Sequence, residues 1–161
     1  MQRLWSPWRS QYIASGVDSY GKGCVFCSIA ADPDNDTSHF VLHRSKHAFV
    51  LLNLYPYITG HLMVVPYLHT SEFDSVPKEI TDEMMDLAKR AQTALREVYS
   101  PSGFNLGMNL GAAAGAGIAD HIHIHVLPRW SGDTNFMTTV GDSRVIPEAL
   151  EVTYQKLKEK F

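Results

Sequence analysis

His121-Ile122-His123-Ile124-His125-Val126, followed by Leu127 and Pro128, is the stretch that decides how the chain is read. Strict alternation means an extended strand, because successive side chains of a strand point to opposite faces. Ile122, Ile124 and Val126 then face a core, and the three imidazoles share the other side. A lone histidine under a sheet is an ordinary structural residue. Three in alternation are a poor choice for folding alone, since a buried imidazole needs partners. Imidazole is also a nucleophile, an acid, a base and a metal ligand. The run therefore presents one chemical face backed by one apolar face.

Working outward, a loop of small residues, Gly111-Ala-Ala-Ala-Gly-Ala-Gly117, feeds this strand. Gly115 and Gly117 let backbone approach a ligand closely, and backbone N–H groups there suit phosphate oxygens. Before the loop, Phe104, Leu106, Met108 and Leu110 alternate with Asn105, Gly107 and Asn109, which predicts another strand with amide donors on one face. Further upstream, strands are predicted from Phe40, over Ala48–Asn53 and over His61–Pro66, the last stopped by its proline. Helical spacing of Ile80, Met84, Leu87, Ala88, Ala91, Leu95 and Val98 predicts a helix over Lys78–Tyr99, broken by Pro101-Ser-Gly. A final helix starts at Pro147 and places Leu150, Tyr154, Leu157 and Phe161 on one side. Short strands around one long helix imply an α+β domain, an antiparallel sheet with helices on one face.

The 161 residues, 45% of them hydrophobic, suit a single domain over 1–161 with a sizeable core. Residues 1–20 form an aromatic arm carrying Trp5, Trp8, Tyr12 and Tyr20, expected to pack on the domain or on a partner subunit. A net charge of −3 argues against bulk binding to nucleic-acid polymers or to anionic membranes, while leaving room for a local phosphate pocket. No apolar stretch is long enough to span a membrane, and the N-terminus has no continuous apolar core of a secretory signal. A cytoplasmic protein is expected.

Two chemical readings follow for the histidine face. In one, Cys24-x-x-Cys27 has zinc-knuckle spacing, and His69 with one of the strand histidines would complete a Cys₂His₂ site. Two core cysteines or a redox pair are the alternatives, and the redox pair lacks its βαβ context. In the other, an imidazole beside the glycine loop attacks phosphorus, giving a phosphohistidine-type intermediate whose charge the surrounding donors stabilise. His61 reads as a structural hydrogen-bonder, and His39, His43 and His47 as solvated.

The run His121-Ile-His123-Ile-His125-Val, continued by Leu-Pro-Arg-Trp, resembles the histidine-triad (HIT) motif. Asn53-Leu-Tyr-Pro-Tyr57, Gly60-His-Leu-Met-Val-Val-Pro-Tyr67, Gly103-Phe-Asn-Leu-Gly-Met-Asn-Leu-Gly111, Gly132-Asp-Thr-Asn-Phe136 and Leu4-Trp-Ser-Pro-Trp-Arg9 resemble its diadenosine tetraphosphate phosphorylase/hydrolase branch. The resemblance implies a HIT-like fold with a five-stranded antiparallel sheet, a long helix, a C-terminal helix and a homodimer. It implies a nucleotide substrate, adenine favoured, cleaved at the α-phosphate. The middle histidine of the motif is the nucleophile, here His123, and the last contacts phosphate, here His125. Asn53 matches the ribose-contacting position, and Asn109, Gly115 and Gly117 match the phosphate-binding segment. Zinc would be held by Cys24, Cys27, His69 and His121.

The chain departs from the motif in one place. Many relatives carry a hydroxyl or amide side chain just before the triad, whereas Ala114-Gly-Ala-Gly-Ile-Ala-Asp120 has none. That leaves water and inorganic phosphate both open as the group that releases the intermediate. The competing functions are a nucleoside phosphoramidase or general nucleoside-monophosphate hydrolase of the same type, and a nucleotide-binding protein without turnover.

Overall fold

A computed structural model describes residues 23–133 and 146–161 of the chain. The aromatic arm, and the segment Gly132-Asp-Thr-Asn-Phe136 beyond Asp133, lie outside the described residues. In chain order the elements are α1 (Val25–Ala30), β1 (Val41–Arg44), β2 (Ala48–Leu52), β3 (Leu62–Pro66), α2 (Lys78–Tyr99), β4 (Gly103–Gly107), β5 (Ile124–Arg129) and α3 (Leu150–Lys158). The strands form one antiparallel sheet in the order β1-β2-β3-β5-β4. This is the α+β architecture expected from the sequence, with the long helix at the predicted residues.

The sheet is dressed on both faces rather than one. Ala48, Val50, Leu52, Leu62, Val64, Ile124 and Val126 point one way, into a core closed by Met84, Leu87, Ala88, Ala91 and Leu95 of α2 and Tyr154 and Leu157 of α3. Their neighbours Phe49, Leu51, Met63 and Val65 point the other way and pack with Phe26 and Ile29 of α1. The zinc-knuckle spacing of Cys24 and Cys27 carries no sign of this second layer. It is a six-residue helix, too short for its periodicity to be legible. Arg44 fixes it from β1. Its Nη2 donates to the Ile29 carbonyl at 2.7 Å, its Nη1 to the Ala30 carbonyl at 3.2 Å and its Nε to Asp36 at 2.9 Å. A guanidinium thus satisfies the orphan carbonyls at the helix end.

Gly60 explains one close approach. Its φ is +77°, and a Cβ built there would lie 2.9 Å from Leu95 Cδ2. Only glycine lets the chain pass under α2 at this point and deliver His61 into the sheet. At the far edge, β4 behaves differently from its sequence pattern. Phe104 and Met108 pack against the helix-side core, but Leu106 and Leu110 stand 42% and 45% exposed. His43, expected to be solvated, lies in β1 with its ring stacked on Phe161.

Candidate active site

β5 is paired with β3 on one side and β4 on the other, and this places the histidines. His125 lies opposite Met63 of β3 and Gly107 of β4, while Ile124 and Val126 lie opposite Val64 and Leu62. Paired residues share a face, so the predicted division into an imidazole side and an apolar side holds along β5. His121 and His123 precede the ladder: regular pairing starts at Ile124. β3 ends at Pro66, which has no N–H to offer. The histidine run separates from β3 there and follows the next segment instead, with the Ile122 N–H donating to the Thr70 carbonyl at 2.9 Å. That bond brings His121 beside His69. All three imidazoles are buried, at 1%, 5% and 8% exposure for His121, His123 and His125.

At one end of the site stand Cys24, Cys27, His69 and His121, their ligand atoms all within 4.8 Å of one another. Cys24 Sγ is 3.3 Å from His121 Nδ1, Cys27 Sγ is 3.3 Å from His69 Nδ1 and 3.7 Å from His121 Nδ1, and the two Nδ1 atoms are 3.2 Å apart. A tetrahedral ion with ordinary bond lengths would set sulfur–nitrogen edges of about 3.6 Å and nitrogen–nitrogen edges of about 3.3 Å. The donor set also has its outer support. His121 Nε2–H donates to the Pro66 carbonyl at 2.8 Å, which leaves Nδ1 bare and aimed into the cluster. The four residues fit a metal ion.

His123 sits next to this cluster. Its Nδ1 is 2.9 Å from the His121 carbonyl oxygen, which can only accept, so Nδ1 carries the proton and Nε2 holds the free lone pair. Phe26 packs against the rings of both His121 and His123, with centroids 5.4 and 5.0 Å away, and shields this end from water. Burial pushes His123 below the ordinary imidazole range, the His121 carbonyl opposing. A neutral imidazole with a defined tautomer is what a nucleophile at neutral pH requires.

On the other side of His125 is a cleft of about 190 Å³ lined by Tyr57, Leu127 and His125 together with β4 and the residues after it, Asn105 and Asn109 among them. Gly107, directly opposite His125, puts no side chain into it. Asn105 is held there by Arg129, whose Nη1 donates to its Oδ1 at 2.8 Å. Sequence reasoning missed Tyr57 and Leu127. Tyr57 closes the Asn53-Leu-Tyr-Pro-Tyr57 motif, in which only Asn53 has an assigned role. Leu127 follows the alternation beyond His125 and was legible.

Gly115 has φ +88°, a conformation that glycine adopts without strain, and its N–H donates to the Ala112 carbonyl at 3.0 Å within the turn. Ile118 packs on the α1-side cluster, so the loop runs over the histidine face. Asn53 lies just past β2. Its Oδ1 accepts the Tyr55 N–H at 2.9 Å and its Nδ2 faces His61. His61, read as a structural hydrogen-bonder, is 1% exposed and touches the triad itself, with Nε2 2.8 Å from His125 Nδ1.

Burial, and secondarily the His123 charge, push His125 down to about 4. The unfolded chain would then bind this proton near pH 6.5 and the folded chain only near 4. Stability is therefore complete above about pH 6.5 and falls as pH drops towards 4, by on the order of 3 kcal/mol for this group. Urea unfolding at pH 7.5, 5.5 and 4.5 should show that loss. A stability that is flat or rises on acidification across this window would contradict a neutral buried His125.

Comparisons with known proteins bear on the family and the fold. A family model described as "HIT domain" matches residues 35–132. An AP-4-A phosphorylase of Mycobacterium tuberculosis is 40% identical over 165 residues, covering 100% of this chain and 85% of its own. An adenosine 5′-monophosphoramidase of Saccharomyces cerevisiae is 27% identical over 125 residues, 77% of this chain and 73% of its own. Among solved structures, a Zn-bound histidine triad family protein of Mycobacterium smegmatis superposes with a TM-score of 0.69 at 28% identity, over 86% of this chain and 92% of that one. The chain belongs to the HIT family, and it is an enzyme of that family. Its sequence resembles the branch of that family in which the AP-4-A phosphorylase stands.

Proposed function

We propose that this enzyme cleaves dinucleoside polyphosphates, diadenosine tetraphosphate favoured, at the α-phosphate. The observation that carries this reading is His123, a buried neutral imidazole with its Nε2 lone pair free, in a chain similar along its whole length to an AP-4-A phosphorylase. His123 Nε2 attacks the α-phosphorus, the P–O bond to the rest of the polyphosphate breaks, and the leaving oxygen takes the electron pair and later a proton. Water or inorganic phosphate then attacks the same phosphorus. The P–N bond breaks and its electron pair returns to Nε2. His125 Nε2 donates to a phosphoryl oxygen, and Asn109 with the Gly115–Gly117 loop lies along the phosphates. Asn53 is assigned to the ribose.

Cys24, Cys27, His69 and His121 would hold a structural zinc. Bound there, it ties the N-terminal knuckle to the histidine run and contributes folding energy without joining the reaction. The exposed Leu106 on edge strand β4 and Leu110 just beyond it support the homodimer reading, since apolar side chains at an open edge invite a second copy. None of the helices among the described residues is long and apolar enough to cross a membrane.

Product analysis tests the reaction. With diadenosine tetraphosphate, ADP plus ATP in the presence of inorganic phosphate means phosphorolysis. AMP plus ATP means hydrolysis at the α-phosphate, and two ADP means hydrolysis at another position, which would contradict the proposed attack. Adenosine phosphoramidate cleaved faster than the dinucleotide would favour the phosphoramidase reading, and nucleotide binding without product would favour a binding protein.

A further inference from the structure

His61 touches His125 of the triad, yet neither the proposed reaction nor the metal cluster uses it. It is buried under the sheet, with its ring 5.0 Å from that of His125 and 4.7 Å from that of Tyr57. Its hydrogen bonds fix where its proton sits. The Tyr57 backbone N–H points at His61 Nδ1, 3.1 Å away. A backbone N–H can only donate, so Nδ1 must accept. A second donor agrees: because Asn53 Oδ1 already accepts the Tyr55 N–H, the Asn53 amide turns its Nδ2–H₂ towards His61 Nδ1, at 3.3 Å.

With Nδ1 bare, neutral His61 carries its proton on Nε2. That N–H has His125 Nδ1 in front of it at 2.8 Å and donates to it. His125 then has a bare Nδ1, and its own proton lies on Nε2. Running the protons in the opposite sense would set His61 Nδ1–H against the Tyr57 N–H, two donors at 3.1 Å. A doubly protonated His61 meets the same clash, and burial together with the His125 and His123 charges opposes it.

We propose that His61 is a positioning residue that fixes the tautomer of His125, so that His125 offers an Nε2–H donor rather than a lone pair to the phosphoryl group. The order of protons runs from the Tyr57 backbone through His61 to His125. A bare Nε2 on His125 would face phosphoryl oxygens lone pair to lone pair, so the wrong tautomer would repel the charge that the site must hold. This deepens the proposed function and rests on its assignment of His125 to phosphate.

Two conservative substitutions separate positioning from mere structure, because each keeps one half of the His61 ring. His61→Gln keeps a nitrogen donor at the reach of Nε2 towards His125. His61→Asn keeps only an acceptor near the Tyr57 N–H, and so holds the turn without reaching His125. In ¹⁵N-labelled full-length protein at pH 7.5, long-range ¹H–¹⁵N correlation should show His125 with Nδ1 unprotonated and Nε2 protonated. His61→Gln should preserve that pattern and most of kcat for diadenosine tetraphosphate. His61→Asn should lose it, with kcat down about 10- to 100-fold and KM little changed. A parent protein with His125 protonated on Nδ1 would overturn the proposal, as would His61→Asn turning over at the parent rate. The expected nitrogen pattern in a parent protein that cleaves no dinucleotide would leave the tautomer assignment standing and sink the functional reading instead.

Discussion

His123→Ala should lower turnover of diadenosine tetraphosphate by at least about 10⁴-fold, because it removes the atom to which the nucleotidyl group transfers. The loss should fall on kcat, and nucleotide binding should survive, since His125, Asn109 and the cleft are untouched. A trapping experiment gives an independent readout. The parent enzyme, quenched in alkali during turnover, should yield an acid-labile adenylyl adduct on one histidine, and the variant should yield none. The side chain is 5% exposed and packed on Phe26, so the variant also opens a small cavity. Its melting temperature should accordingly be measured alongside, to separate chemistry from folding. Parent-rate turnover by a folded His123→Ala protein would sink the assignment.

The second large effect concerns the Cys24–Cys27–His69–His121 cluster. Elemental analysis should find one zinc per chain, and a strong chelator should lower the melting temperature by about 10 °C. A ligand present at a thousand times its dissociation constant stabilises by about 4 kcal/mol, and in a domain of this size each kcal/mol moves the midpoint by about 2–4 °C. The double variant Cys24→Ser/Cys27→Ser should start near the stripped value and show no response to chelator. Stripping should also reduce activity, because the His121 carbonyl that orients His123 belongs to a residue whose ring the metal would hold. A parent protein free of metal and indifferent to chelator would end the zinc reading.

What could be read from the sequence depended on how far each feature was local. The alternation at His121–Val126 and the helical spacing from Ile80 to Val98 are periodicities that burial enforces residue by residue, and both faces of β5 and the whole of α2 came out as expected. The metal cluster was half legible. Cys24-x-x-Cys27 announced itself, but nothing in the residues alone chose His121 over His123 or His125, and the HIT resemblance made that choice. Pro66 supplies the physical reason: by ending the ladder it lets the chain turn His121 away from the sheet and towards His69. The exposure of Leu106 was not legible, because an alternating pattern cannot say whether the strand lies at the centre or at the edge of a sheet, and the alternation runs on to Leu110 although β4 stops at Gly107. The contact between His61 and His125 joins positions 64 residues apart, and only the pairing of β3 with β5 brings them together.

That double pairing of β5 also determines which sequence changes in length the enzyme can accept. The strand is locked in register by β3 and by β4, so a one-residue insertion or deletion between Ile124 and Val126 cannot be absorbed by sliding. It would exchange His125 for one of its apolar neighbours across the two faces, placing a polar ring in the helix-side core and methyl groups over the cleft. The same edit between Gly111 and Gly117 would only lengthen or shorten a turn. Drift in chain length should therefore be confined to the glycine loop, while the run from His121 to Val126 keeps one reading frame of sidedness.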